Sequence, residues 1–156
     1  DDILAYYEEN KYSKYMGPDM VVVSEIRSER RPMIDSLYNQ YALGVSFDDI
    51  FVLGGNSGRV LGPFARGKYN NLGEFAFSSG EGSVSSVIKN LNNTFSIVRV
   101  DKHIPASPIG VGKAQSRIEV LLLKQKQTSI KDGVFETLSK KHNVKINSNF
   151  YKYSIN

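Results

Sequence analysis

Residues 58–100 read GRVLGPFARGKYNNLGEFAFSSGEGSVSSVIKNLNNTFSIVRV, a glycine-rich run that feeds an aromatic segment and then two β-rich runs. Glycines on either side of Leu61 let the backbone turn sharply, which predicts a loop presenting Leu61, Phe64 and Tyr69 on one lip. Leu72, Phe75 and Phe77 follow in a short helical or turn segment, and Gly82 ends it before VSSVIK, which reads as a strand. Asn92, Asn93 and Thr94 form a glycosylation sequon but read better as the turn of a hairpin joining VSSVIKNL to FSIVRV. Together these parts predict an apolar, aromatic-lined cleft beside a sheet.

The order of these parts resembles the parvulin family of peptidyl-prolyl cis/trans isomerases, or rotamases, in the branch found in secreted foldases and periplasmic chaperones of bacteria. The family's loop, G-G-D-L-G-x-F-x-x-G-x-M, is similar to residues 58–69, with Leu61, Gly62, Phe64 and Gly67 in place and Tyr69 where the family has Met. Its A-A-F-x-x-x-x-G-E-V-S is similar to Phe75, Ala76 and Phe77 followed by Gly82, Ser83, Val84 and Ser85. Its last strand, G-Y-H-I-I-K-V, is similar to Thr94–Val100. At the N-terminus the branch's Y-Y-x-x-N-K is matched by Tyr6, Tyr7, Asn10 and Lys11, and at the C-terminus its V-K-I-N by Val144–Asn147.

Outward from the central stretch, the sequence reads as flanking support. Asp2 to Tyr15 carries a helical stripe through Ile3, Leu4, Tyr7, Lys11 and Tyr15, closed by Gly17 and Pro18. Met20 to Arg27, MVVVSEIR, is the best strand, being rich in β-branched residues. Ser28 opens a helix with Pro32 in its first turn, and Ser46 caps a shorter one with Asp49 three residues on. Asp101 to Gly112 is a linker marked by Pro105 and Pro108. Lys113 to His142 is a long helix with an irregular apolar stripe, interrupted by the polar block from Lys124 to Ser129 and by Gly133.

These readings give an α+β fold: a small, mostly antiparallel sheet from Met20 to Arg27, Val84 to Leu91 and Thr94 to Lys102, with a further strand near the C-terminus. Short helices cover the sheet, and N-terminal and long C-terminal helices flank it. The expected division is an N-terminal linker helix at 1–18, a parvulin-like domain at 19–103, and a linker, helix and terminal strand at 104–156.

Composition narrows the function. The 156 residues are 40% apolar and 23% charged with net charge +4, the profile of an ordinary folded domain with one core. Lysines and arginines are scattered among acids, and no basic face with stacking aromatics indicates nucleic-acid binding. There is no cysteine, which an oxidising compartment tolerates, and no apolar run of 18 residues that would span a membrane. The chain opens on Asp1, as a mature protein or an excised fragment would, its targeting segment removed. His103 and His142 stand far apart without metal-ligand spacing, so no metal or other cofactor is expected. Gly62–Lys68, GPFARGK, matches the first seven positions of a phosphate loop, but Tyr69 replaces the Ser or Thr, and it reads as a chance match.

The resemblance implies the chemistry. Rotation about a peptide C–N bond meets a barrier of about 18–20 kcal/mol, and lowering it needs no nucleophile, only an apolar pocket that desolvates the imide and favours its twisted form. By position the proline pocket is Leu61, Phe64, Tyr69, Leu72 and Phe77, residues that also read as plain core. Arg59, Arg66 and Lys68 form a basic rim that steers acidic peptides, or are simply solvated. Parvulins carry two histidines at the pocket base; here those positions are Glu25 and Ser96, which can share one hydrogen bond. The family's loop Asp or Cys is missing after Phe51. The implied function is a parvulin-type isomerase domain of an extracytoplasmic foldase or chaperone, periplasmic or attached to the cell envelope, with unfolded, proline-containing polypeptides as partners. The alternatives are a catalytically inactive peptide-binding module and a scaffold whose pocket is filled by its own side chains.

Overall fold

A computed structural model describes residues 2–142; the terminal strand and the Val144–Asn147 motif expected from the sequence lie outside the described residues. The chain divides into two compact units. One is residues 16–108, and the other combines residues 1–15 with the segment from residue 109 onward.

The first unit is α+β. Its elements are β1 (Met20–Ser28), α2 (Arg31–Ala42), α3 (Phe47–Leu53), β2 (Gly58–Ala65), α4 (Asn70–Ser78), β3 (Ile88–Lys89) and β4 (Phe95–Ile104). They follow α1 (Asp2–Lys14) of the other unit, and a single 3-10 turn, Gly55–Ser57, joins α3 to β2. The sheet has the order β2-β1-β4-β3, and every pairing is antiparallel. The ends of this unit meet where the Gly17 N–H donates to the Ser107 carbonyl at 2.8 Å.

β1 is buried on both faces, and that explains its run of β-branched residues. On one face Val21 and Val23 join Leu61, Phe64, Val98 and Val100 beneath Leu72 and Ala76 of α4. On the other, Ile26 and Ile97 pack against Ile34 and Leu37 of α2 and Phe47 and Ile50 of α3. α3 begins as its sequence requires: the Ser46 hydroxyl accepts the Asp49 N–H at 3.1 Å and donates to the Asp49 carboxylate at 2.6 Å.

Two expectations are corrected here. Residues 58–65 form the edge strand β2, not a loop, and supply the sheet's fourth strand. Leu61 pairs with Val23 and Phe64 with Val21 across a register irregularity, so residues three apart share one buried face. Gly62 (φ 114°) makes that possible, since a Cβ there would lie 2.6 Å from the Val21 carbonyl oxygen. Val84 to Leu91 is also not a continuous strand: only Ile88–Lys89 is, with an isolated bridge between Val84 and Arg99. The reason is local. The Ser85 hydroxyl, not a backbone carbonyl, takes the Val98 N–H at 3.0 Å, and the Val100 carbonyl receives the Gly82 N–H at 2.7 Å.

The second unit pairs α1 with α5 (Val111–His142). Tyr7, Tyr15, Ala114 and Ile118 form its core, and the Tyr7 hydroxyl donates to the Ile109 carbonyl at 2.7 Å. Among the described residues no helix is long and apolar enough to cross a membrane.

The turn into α4 is the tightest place in the first unit. Tyr69 (φ 62°) and Asn70 (φ 45°) are consecutive left-handed residues, and both the Leu72 and Gly73 N–H groups donate to the Tyr69 carbonyl. A Cβ on Gly73 would stand 1.9 Å from the Lys68 carbonyl oxygen. Gly73→Ala is therefore expected to cost about 1–3 kcal/mol in urea unfolding, as overpacking does. Gly80→Ala, where a Cβ meets nothing within 4 Å, should stay within about 0.5 kcal/mol. Equal stability of the two variants would contradict this account of the turn.

Candidate functional site

The alternation of β1 builds the site. Val21 and Val23 face α4, and Glu25 and Arg27 continue the same face beyond it. There, instead of another valine, the sheet carries a carboxylate that is 1% exposed. Burying an ionised carboxylate is costly unless it is paired and hydrogen-bonded. Both Glu25 oxygens are satisfied. Oε1 accepts from the Ser96 hydroxyl of β4 at 2.5 Å, and Oε2 accepts from the Arg59 guanidinium of β2, with both Nε and a terminal nitrogen at 2.6 Å.

The network continues from Ser96, which is fully buried. The Asn90 amide donates to the Ser96 hydroxyl at 2.7 Å and to the Thr94 hydroxyl at 3.0 Å, and Thr94 donates to Asn92 at 2.8 Å. Asn93, left-handed at φ 60°, turns the chain here, as the hairpin reading expects. Above this polar floor lies a cavity of about 190 Å³, lined by Glu25, Arg27 and Arg59 from the sheet, Tyr69–Leu72 from the start of α4, and Lys89–Asn92 from the hairpin.

The residues singled out from the sequence fall into three groups. Glu25, Arg59, Tyr69 and Leu72 line the cavity, and Ser96 is hydrogen-bonded to its floor. Leu61 and Phe64 are core residues, with the Tyr69 ring edge-on to Phe64 at 4.8 Å. Phe77 also packs against Phe64, with ring centroids 6.1 Å apart, but does not line the cavity; it meets the Arg66 guanidinium at 4.6 Å and the His103 ring at 6.5 Å. Arg66 and Lys68 are exposed and outside the cavity lining. Of the three rim cations, only Arg59 reaches the site, and its guanidinium is committed to Glu25. Sequence reasoning missed Arg27, Lys89 and Asn90. The period-2 alternation from Glu25 could have supplied Arg27; nothing local marks the other two.

No protein-family model and no curated protein matches this chain. Solved structures do. One comes from work on the virulence factor PEB4 and the periplasmic protein Cj1289, two structurally related SurA-like chaperones of Campylobacter jejuni; it is 15% identical with a TM-score of 0.57, and the match covers 94% of this chain and 63% of that one. Foldase protein PrsA of Streptococcus pneumoniae is 16% identical, TM-score 0.45, with 97% of this chain and 60% of that one covered. PrsA of Bacillus subtilis is 18% identical, TM-score 0.42, with coverage of 94% and 56%. The chain thus spans less than two thirds of each of these structures. The likeness to the Campylobacter structure shows the fold alone, shared over 63% of that structure.

Removing Arg59 would leave Glu25 buried and unpaired. Because the Arg59 side chain is 45% exposed, Arg59→Met should cost less than a fully buried pair, about 1–3 kcal/mol. The double variant Glu25→Gln/Arg59→Met should recover about 1 kcal/mol of that in a denaturation cycle. Strict additivity of the two substitutions would show that the pair is not coupled.

Proposed function

We propose that this chain is the parvulin-like part of a bacterial extracytoplasmic foldase or chaperone, with residues 19–103 binding proline-containing segments of unfolded exported polypeptides. The observation that carries the reading is Glu25, hydrogen-bonded to Ser96, at the floor of a cavity lined by Tyr69 and Leu72. These are the two positions where the motif resemblance expects the paired histidines of an isomerase. The SurA-like fold supports the same reading. In it, a proline ring rests against Tyr69 and Leu72 while its imide faces the polar floor.

The same geometry favours holding over turnover. Isomerisation is accelerated when the site binds the twisted imide better than the planar one. Here Glu25 has both oxygens engaged, and the Ser96 hydroxyl donates to Glu25 while accepting from Asn90. A floor so fully committed internally has few free donors for a twisting carbonyl. Binding with weak or no catalysis is therefore the form of the function that the site supports best.

Exchange NMR on Xaa-Pro peptides reads both properties at once. The expected result is peptide-dependent shifts at Tyr69 and Leu72, with little acceleration of cis/trans exchange. Tyr69→Gly keeps the left-handed turn and removes a ring that is 45% exposed, so it should weaken binding roughly tenfold, about 1.4 kcal/mol, without unfolding the domain. Absence of shifts with every peptide would overturn the proposal. Strong acceleration would overturn the preference for holding.

A further inference from the structure

We infer that the cavity holds its client by the main chain, and that the side-chain carbonyl of Asn90 is the acceptor for a peptide N–H beside the proline. The inference rests on the peptide-binding reading above and specifies which group of the ligand is recognised. Hydrogens counted outward from Glu25 fix the orientation of the Asn90 amide. The Glu25 carboxylate can only accept, so the Ser96 hydroxyl spends its single hydrogen on Oε1. Ser96 can then only accept from Asn90, and the Asn90 Nδ2 group is the donor, at 2.7 Å. Thr94 imposes the same orientation: its hydroxyl donates to Asn92 Oδ1 at 2.8 Å and accepts from Asn90 Nδ2 at 3.0 Å.

Both Nδ2 hydrogens of Asn90 are therefore committed. Its backbone N–H donates to the Thr94 carbonyl at 2.8 Å, and its backbone carbonyl accepts the Asn93 N–H at 3.2 Å. Of its polar atoms, only Oδ1 has no hydrogen-bond partner among the described residues. Every buried side-chain polar atom among those residues has one, so Oδ1 is not buried but open to a ligand. Asn90 lines the same cavity as Tyr69 and Leu72, against which the proline ring is proposed to rest. Proline has no N–H of its own, so the main-chain donors nearest its ring belong to the two flanking residues. An N–H from either would pair with Oδ1 and leave the floor undisturbed, whereas a client carbonyl would meet only lone pairs there. Since that N–H is present whether the imide is planar or twisted, the contact serves holding more than turnover.

The test titrates the whole chain, followed by NMR, with Ala-Ala-Pro-Ala-Ala and with two esters of it, in which oxygen replaces the N–H of the residue before or after the proline. The expected result is that one ester binds roughly tenfold more weakly than the parent peptide, the loss of about one net hydrogen bond. In Asn90→Ala that penalty should fall to within about twofold, because the N–H then has no partner to lose. Asn90→Ser keeps a donor for the floor, should lose the penalty equally, and stands in if alanine loosens the hairpin. The orientation of the amide has a readout that needs no ligand. The Asn90 Nδ2 protons should exchange with solvent at least about tenfold more slowly than those of Asn71, an exposed cavity residue with no side-chain hydrogen bond among the described residues. Equal binding of both esters and the parent peptide to the unaltered chain would overturn this inference and leave peptide binding standing. So would a penalty that survives both Asn90 substitutions, or equal exchange at Asn90 and Asn71. Failure of every peptide to bind would overturn the peptide-binding reading itself, and the inference with it.

Discussion

The burial of Glu25 is the constraint on which the site depends. A sheet face that begins Val21, Val23 would ordinarily continue with an apolar residue, and the chain instead places a carboxylate where 1% of the residue is exposed. That choice obliges β2 to supply Arg59 and β4 to supply Ser96. It also ties the hairpin to the sheet, because Ser96 is held by Asn90, and Asn90 by Thr94. One buried charge thus connects an edge strand, the central pair and the β3–β4 turn. Such networks contribute specificity when every member is satisfied and are costly when one is removed. Among the described residues every buried side-chain polar atom has a partner.

β1 carries a second polar group of the same kind on its opposite face. The Ser24 hydroxyl donates to Asp101 at 2.7 Å, and Arg99 bridges Asp101 and Asp48 while its guanidinium lies 4.8 Å from the Phe47 ring centroid. Partial burial works against the Arg99 charge, but the hydrogen bonds to Asp101 and Asp48 outweigh it and raise its pKa above the ordinary arginine value. A raised basic pKa stabilises the fold at every pH below the ordinary arginine range and loses its effect only as pH climbs through the folded value. This network anchors α3 to the sheet. The Glu25 network opens on a cavity, and that difference separates a structural ion cluster from a candidate site.

Much of this was legible in the sequence, for identifiable reasons. The β-branched run at Met20–Arg27, the Ser46–Asp49 cap and the long helix before His142 each carry a local signal that tertiary context did not need to modify. The pairing of Glu25 with Ser96 was also accessible, since the motif register set the two positions side by side. What failed were features decided by distant partners. Gly58–Ala65 looks like a loop because its glycines satisfy loop chemistry, yet Gly62 is required by the close approach of the Val21 carbonyl in a bulged strand. Val84–Leu91 has the composition of a strand, but at Ser85 only the N–H joins the ladder, donating to the Val98 carbonyl, while the side-chain hydroxyl rather than the carbonyl takes the Val98 N–H. Lys89 borders the cavity only because β3 lies beyond β4, a matter of topology that no local pattern records.

The strained turn at Tyr69–Asn70 shows how the two levels meet. Left-handed backbone at a bulky residue costs on the order of 1–3 kcal/mol and persists only where surroundings enforce it. Here Phe64 meets the Tyr69 ring edge-on from the core side, and Gly73 allows the Lys68 carbonyl to close over the first turn of α4. Packing thus holds the turn from below and from behind. A tyrosine at that position gains little from burial, since it is 45% exposed, so the fold alone does not account for a large aromatic in an unfavourable conformation. The exposed face of the ring lies at the cavity, which Glu25 also lines. The strain has a physical rationale if that face is there to be covered by something other than the chain itself.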